Sequence, residues 1–172
     1  MGSPSEYLTR LRGALGKNSS ANTDQEKKLI GDSGEFLTEN LLDKLNVAWI
    51  KTVQHENVYS DVLRTNRVAR PDYICRIGDG NFFLDSKHLS RSADQAEVIS
   101  FSIGVDEHLR LKNAQDYFGL GVIIVVWDRT DTEFTYCFSE LNTFSRPKII
   151  HGRRCLEGDF CTSEFSALEF KI

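Results

Sequence analysis

Long apolar runs are absent from this sequence of 172 residues. The longest, Val122 to Trp127, has the length of a buried strand, whereas a membrane-spanning helix needs ~20 apolar residues. Residues 1 to 20 also lack the apolar middle region of a secretory signal. We therefore expect no membrane insertion and an intracellular location, cytoplasmic or nuclear.

Closely spaced cysteine pairs are missing as well. The four cysteines include no CxxC pair, and a disulfide framework is unusual in a cytosolic domain of this size. A zinc site can be drawn from His151, Cys155 and Cys161, but their spacing matches no zinc knuckle or finger. Reduced core thiols are the main expectation, and structural zinc is a minor alternative.

The chain has no excess of positive charge. Its formal net charge is −4, which argues against a protein that coats nucleic acid by bulk electrostatics. Any contact with nucleic acid must therefore be local, through arginines that converge in the fold. The candidates are Arg64, Arg67, Arg70, Arg91, Arg153 and Arg154.

The length and a composition of 40% hydrophobic and 27% charged residues suit one globular domain. Residues 1–22 combine a short amphipathic stretch with a Gly-, Ser- and Asn-rich segment, which predicts a helical arm and linker. Residues 23–172 are then a single domain.

Hydrophobic periodicity and turn residues predict helices over 24–45 and 103–118. They predict strands at 47–53, 73–77, 82–88, 122–127 and 132–138, with an irregular excursion over 54–70. The continuous β-branched run from Val122 is typical of a strand buried on both faces in an α/β sheet.

The runs 73–77 and 82–88 predict a hairpin closed by a loop of residues 78–81. This register sets Ile77 opposite Phe82 and Asp72 opposite Lys87. Because side chains alternate along a strand, Asp72, Asp85 and Lys87 share one face. Four side chains share the other face: Tyr73, Cys75, Leu84 and Ser86.

Two carboxylates on one face can hold a divalent cation between them, and Mg²⁺ or Mn²⁺ suits oxygen ligands. Hydrolysis of a phosphodiester needs such a cation, and a neighbouring lysine can orient the attacking water or stabilise the developing charge. The alternative is a surface hairpin that carries an ordinary cross-strand ion pair.

Pro71-Asp72, twelve intervening residues and Asp85-Ser86-Lys87 resemble the signature of the PD-(D/E)XK nuclease superfamily, which includes restriction endonucleases and archaeal-type Holliday junction resolvases. The resemblance spans roughly residues 24–140. It implies an α/β, restriction-endonuclease-like fold with a three-layer αβββαβ core, in which helices flank a central mixed sheet.

The resemblance also implies roles for individual residues. Gly34-Glu35 resembles the helix element that supplies a glutamate, so Glu35 joins Asp72, Asp85 and Lys87 as a catalytic residue, and Glu39 is the alternative to Glu35. Metal ligands would be Asp72, Asp85, Glu35 and the backbone carbonyl of Ser86.

The function implied is a metal-dependent endonuclease that acts on nucleic acid. DNA is favoured over RNA, because viral cap-snatching endonucleases of this superfamily often carry a histidine in the early helix and residues 24–45 contain none. One alternative is an RNA endonuclease of the viral cap-snatching type. The other is a catalytically inactive nuclease-fold module for nucleic-acid binding or assembly. Pairing of two subunits into a homodimer stays open.

Three further side chains have two interpretations each. His88 follows the motif lysine and could contact a phosphate, or could be a surface or capping group. Lys112 and Gln115, on the helix predicted over 103–118, could reach substrate or simply be solvated.

Overall fold

The computed structural model of the protein describes residues 24–52, 59–88, 98–129 and 134–168. The helical arm and linker predicted over residues 1–22 lie outside these ranges, as do Val53 and Arg91.

Helices and strands alternate in a mixed α/β order. The helices are α1 (Asp24–Lys44), α2 (Asp61–Thr65) and α3 (Val105–Phe118). The strands are β1 (Ala48–Lys51), β2 (Tyr73–Ile77), β3 (Gly80–His88), β4 (Val98–Gly104), β5 (Gly121–Arg129), β6 (Phe134–Glu140), β7 (Arg146–Ile150), β8 (Arg153–Cys161) and β9 (Ser166–Ala167).

The central sheet has the strand order β1-β2-β3-β5-β6-β9. The β3 and β5 strands pair in parallel, and the other described neighbours in this sheet pair antiparallel. The sheet is therefore mixed. With α1 before β1 and α3 before β5, the chain contains the αβββαβ order of a restriction-endonuclease-like fold, as predicted.

Apolar side chains cover the sheet on both faces. One buried cluster joins Leu37 and Leu41 of α1 to Tyr73, Leu84 and Trp127 of the sheet. A second cluster joins residues of α3 to the opposite face, and it includes Phe83, Leu111, Ala114, Ile124 and Val126. The two helices thus lie on opposite sides of the sheet, which confirms the three-layer prediction and the burial of β5 on both faces.

Both long helices lie close to their predicted positions. Helix α1 ends at Lys44, and α3 ends where Gly119 adopts the left-handed φ of 65° that terminates helices. The predicted start of α3 at Ile103 is wrong, because Ile103 and Gly104 pair with Leu156 and Cys155 in a strand.

That strand, β4, belongs to a second sheet with the order β4-β8-β7, which the sequence did not predict. Only β4 alternates polar and apolar residues regularly, over Ile99 to Ile103, whereas β7 and β8 do not. Ile99, Ile103 and Phe160 of this sheet are buried in the same cluster as α3. The second sheet therefore extends the core on the α3 side.

Segment 59–70 contains a helix where an irregular excursion was predicted. Ser60 caps α2 through its side chain, which accepts a hydrogen bond from the backbone of Leu63. Val68 is then fully buried beneath α3, so this segment packs onto the core. None of the helices in the described ranges is long and apolar enough to cross a membrane.

Candidate active site

The β2–β3 hairpin has a shorter turn than predicted. Ile77 pairs with Gly80, so the turn consists of Gly78 and Asp79, and the predicted pairing of Ile77 with Phe82 is wrong. Gly78 has a φ of 58°, which lets the chain reverse tightly at that residue. Gly80 is free to join the ladder as a result.

The shorter turn shifts the register by two residues, which changes the partner of Asp72. Tyr73 pairs with Leu84, so the next position of the ladder sets Asp72 opposite Asp85, and the predicted opposition of Asp72 to Lys87 is wrong. The backbone N–H of Ser86 donates to Oδ2 of Asp72 at 2.9 Å. The two carboxylates are therefore direct neighbours across the hairpin.

A shift of two residues leaves the faces of the strands unchanged. Tyr73 and Leu84 pack against α1, whereas Phe83 packs in the cluster of α3. Side-chain alternation then places Asp72, Asp85 and Lys87 together on the α3 side of the sheet. The sequence argument predicted this grouping.

These three side chains line one cavity of about 240 Å³ between the sheet and α3. Glu107 and Arg110 of α3 complete its wall, together with Arg70 from the segment before β2. Asp85 is 5% exposed. The cavity thus gathers three carboxylates and three cationic side chains at the carboxyl end of β3.

Burial and mutual repulsion disfavour charge on the two aspartates. Burial, and then the neighbouring charge of Asp85, raise the pKa of Asp72 to about 7, although the hydrogen bond from Ser86 opposes the shift. Burial likewise raises the pKa of Asp85, against the opposing effect of Lys87. Two such carboxylates gain from a cation placed between them.

Lys87 bridges two carboxylates. Its Nζ lies 2.5 Å from Oδ2 of Asp85 and 2.8 Å from Oε1 of Glu107, and its side chain is 20% exposed. Burial alone would lower the pKa of Lys87, but Asp85 and Glu107 outweigh that effect and raise it. The lysine is therefore held as an ammonium ion.

Glu35 does not line this cavity. It lies on α1, on the other side of the sheet, where Lys51 Nζ is 2.7 Å from both Glu35 Oε2 and Glu39 Oε1. The Tyr73 hydroxyl donates to the carbonyl oxygen of Glu35 and to the carboxylate of Glu39. Glu35 nevertheless contributes to the raised pKa of Asp72.

Ser86 and His88 point towards α1, away from the cavity. The Thr38 hydroxyl donates to Ser86 Oγ at 3.0 Å and accepts from Trp127 Nε1 at 2.9 Å. His88 Nε2 is buried, has no hydrogen-bond partner among the described residues, and lies where a Cβ on Gly34 would be 2.5 Å away. Burial lowers the pKa of His88 to about 4. The prediction of a surface or capping histidine is wrong for the buried Nε2, and the phosphate contact stays a prediction.

The remaining candidate residues either line a cavity or make contacts elsewhere in the fold. Gln115 accepts a hydrogen bond from the backbone of Val122, so it supports the turn into β5, and Lys112 is exposed on α3. Arg67 pairs with Asp106. Arg153 and Arg154 line a second cavity together with Arg110.

The cysteines do not converge. Cys75 and Cys137 are buried, Cys155 is half-buried and Cys161 is exposed, and all four are free thiols. Cys155 and Cys161 lie at opposite ends of β8, paired with Gly104 and Val98, so the expectation of core thiols is wrong for Cys161. The residues considered for zinc are thus spread along a strand.

The donor set of the cavity fits a hard divalent cation. Across residues 24–52, 59–88, 98–129 and 134–168, no group of three or more His, Cys, Asp and Glu side chains is arranged to hold a metal ion. Asp72 and Asp85 still offer two adjacent carboxylates, and Mg²⁺ commonly binds through one or two carboxylates while it keeps several waters. The repulsion that raises the pKa of Asp72 is the repulsion such a cation would relieve.

Sequence reasoning missed Glu107 and Arg110. Both lie on α3 and enter the cavity because that helix packs over the carboxyl end of β3. A helical wheel of residues 105–118 would have grouped Glu107, Arg110 and Leu111 on one side, and the buried Leu111 marks that side as facing the sheet.

No family model matches the chain, and no curated protein sequence matches it. Among solved structures, the chain is similar to Hjc, a Holliday junction resolvase from the archaeal hyperthermophile Archaeoglobus fulgidus. The two share 14% sequence identity with a TM-score of 0.46, and the match covers 76% of this chain and 89% of that chain.

Proposed function

We propose that the protein is a PD-(D/E)XK-type endonuclease that hydrolyses phosphodiester bonds with Mg²⁺ or Mn²⁺, and that DNA is its preferred substrate. The observation that carries the proposal is the opposition of Asp72 and Asp85 beside Lys87 in one cavity. A surface hairpin with an ordinary ion pair would have no reason to bury two like charges together.

Asp72, Asp85 and the backbone carbonyl of Ser86 would hold the cation, with Glu35 adding negative charge from the α1 side. When bound, the cation would neutralise negative charge on the phosphate and lower the pKa of the attacking water. The hydrogen bond from Ser86 to Asp72 fixes one carboxylate against the strand that carries the other. This fixed geometry lowers the cost of assembling the site.

The role of Lys87 follows from its charge. Because Asp85 and Glu107 raise the pKa of the lysine, it stays protonated at neutral pH and acts as a hydrogen-bond donor rather than as a base. An ammonium ion at this position can orient the nucleophile and stabilise negative charge that develops on the phosphoryl oxygens. Arg70 and Arg110, on the cavity wall, can contact the same phosphate group.

The test is Asp85→Asn, assayed for cleavage of labelled DNA with Mg²⁺ and Mn²⁺ and for Mn²⁺ binding by calorimetry. We expect cleavage to fall by roughly 10³-fold, in line with the several kcal/mol that a metal ion contributes to such reactions. The saturable Mn²⁺ site should be lost as well. Asp79→Asn is the matched control, because Asp79 is an exposed carboxylate in the turn of the same hairpin.

An Asp85→Asn variant that cuts DNA as fast as the wild type would contradict the proposal. A wild-type protein that neither cuts nucleic acid nor binds Mn²⁺ would instead favour a nuclease-like fold used for binding or assembly. Duplex RNA and single-stranded RNA, assayed beside DNA, test the preference for DNA.

A further inference from the structure

A second cavity of about 740 Å³ opens beside the candidate active site. It lies between the start of α3 and the strand β8, and Arg153 and Arg154 line its outer side. Glu107 and Arg110 line both cavities. The second cavity, here called the arginine groove, is therefore adjacent to the site that contains Asp85.

Three arginines line the arginine groove, Arg110, Arg153 and Arg154. None of them has a hydrogen-bonded or ion-paired partner within the part of the chain that the structure describes. All three are exposed. Their charges are thus available to a ligand.

Two acids also line the groove, but each has a cationic partner. Asp106 pairs with Arg67, and Glu107 pairs with Lys87 of the active site. The three arginines therefore outnumber the two acids, each of which is already in an ion pair. In a protein with a net charge of −4, this local positive excess selects an anionic ligand.

The scaffold of the groove favours an extended ligand. Arg153 and Arg154 stand on β8 directly after the turn at His151 and Gly152, and they pair with Ile150 and Ile149 of β7. The pairing fixes their backbone at one end of the second sheet. Val105 and Leu109 add apolar wall between the charged groups, which suits a chain of alternating anionic and less polar units.

We propose that the arginine groove binds the sugar-phosphate backbone of the DNA next to the phosphate that is cleaved. This inference rests on the proposed function, since it is the substrate of the same site that the groove would hold. Guanidinium groups match phosphate oxygens with two parallel hydrogen bonds. Contacts of this kind position a duplex without reading its sequence.

The test is the double variant Arg153→Ala/Arg154→Ala in the full chain. Its binding to a fluorescein-labelled DNA duplex is measured by anisotropy in EDTA, over a range of salt concentrations. We expect affinity to fall by about tenfold at moderate salt, and the slope of log affinity against log salt to become shallower by about 2, since each lost phosphate contact removes about 0.9. Arg153→Lys/Arg154→Lys keeps both charges and should keep most of the slope.

Lys44→Ala/Arg76→Ala is the charge-matched control. Both side chains are exposed, and Arg76 lies near the turn of the β2–β3 hairpin, at the end away from the groove. We expect this control to change affinity less than twofold, a shift within the range of ordinary surface substitutions. Thermal unfolding of each variant, compared with the wild type, verifies that the fold is intact.

Equal loss of affinity and slope in the two alanine variants would overturn the groove proposal, as would wild-type protein that does not bind the duplex. Because binding is measured without metal, the result is independent of cleavage. Wild-type protein whose binding depends on Arg153 and Arg154 but which never cuts with Mn²⁺ would overturn the proposed function and support the groove. Normal cleavage with no effect of the arginines would overturn the groove alone.

Discussion

Lys87 on β3 and Glu107 on α3 form an ion pair in which Nζ and Oε1 are 2.8 Å apart. The same ammonium group contacts Asp85, so a carboxylate from outside the motif helps to fix the lysine of the motif. The contact joins α3 to the strand that carries two of the candidate catalytic residues. The position of the lysine therefore depends on how the helix packs on the sheet.

Replacing Glu107 by Ala should lower kcat without abolishing metal binding. The ammonium of Lys87 would lose one of its two partners and sample more positions, which we expect to reduce turnover by about tenfold through misplacement of a catalytic group. Mn²⁺ affinity, measured by calorimetry, should change less than threefold. Asp106→Asn is the control, because Asp106 is the adjacent acid and pairs outside the cavity with Arg67; equal kinetic effects of the two substitutions would refute this role for Glu107.

Replacing Lys87 by Ala should damage turnover far more than metal binding. In the proposed function the lysine offers charge to the transition state and is not a metal ligand, so we expect kcat to fall by roughly 10²-fold or more. Mn²⁺ affinity should stay within tenfold, because the two aspartates remain. If calorimetry showed complete loss of the Mn²⁺ site, Lys87 would instead be required to build the site.

The face of each residue in the hairpin could be predicted from the sequence, but the partner of each residue could not. Asp72, Asp85 and Lys87 share a face in any register that differs by an even number of residues, so alternation alone was sufficient. The partner of Asp72 depended on the turn, and four candidate turn residues permit more than one loop length. Gly78 alone supplies the positive φ, which made the two-residue turn possible.

Residues remote from the motif were harder to predict because long-range packing places them. Glu107 reaches the cavity through the packing of α3, and Arg153 and Arg154 reach the neighbouring groove through strand pairing between β7 and β8. In the second sheet, Ser100 and Ser102 alternate with apolar residues, but the strand is recognisable only once β8 is its partner. Local propensity carries little of that information.

The raised pKa of Asp72 predicts a pH-dependent stability of the metal-free protein. The pKa rises from an ordinary value of 3.8 to about 7, so between these values the folded protein binds a proton that the unfolded chain does not. This carboxyl group therefore gives the free energy of unfolding a negative slope against pH between about 4 and about 7, which the lowered pKa of His88 opposes. Urea denaturation in EDTA at several pH values measures this slope.

Asp72→Asn should flatten that slope, since the amide has no proton to lose, and Asp79→Asn should leave it unchanged. Divalent metal competes with the proton for Asp72, so Mn²⁺ should increase the melting temperature more at pH 8 than at pH 5. The same pH dependence of stability between pH 4 and 7 in the wild type and in Asp72→Asn would contradict the assignment of the slope to this carboxyl group.

Glu35 and Glu39 offer a matched pair for testing the contribution of α1. Each makes a 2.7 Å ion pair with Lys51, and Glu35 is one of the main charges that raise the pKa of Asp72. We expect Glu35→Gln to weaken Mn²⁺ binding several-fold through the loss of a nearby negative charge. Glu39→Gln loses the equivalent ion pair of Glu39 with Lys51, together with a hydrogen bond from Tyr73, and should leave Mn²⁺ affinity unchanged. The reverse result would assign the role to Glu39.

The close approach of α1 to β3 gives the last prediction. A Cβ on Gly34 would lie 2.5 Å from Nε2 of His88 and 3.1 Å from Oγ of Ser86, so Gly34→Ala should force the helix and strand apart. The overpacking should cost about 1–3 kcal/mol, which outweighs or offsets the roughly 1 kcal/mol by which alanine favours a helix over glycine. In a His88→Ala background only the 3.1 Å contact with Ser86 Oγ remains, so the same substitution should destabilise the protein less.

Chemical denaturation of the wild type, the two single variants and the double variant gives the coupling free energy of this cycle. A smaller cost of Gly34→Ala in the His88→Ala background shows that the close approach of α1 to His88 requires glycine at this position. The same free-energy change in both backgrounds would mean that Gly34 acts through helix propensity alone. Because β3 also carries Lys87, cleavage assays on Gly34→Ala then show whether the spacing of helix and strand reaches the active site.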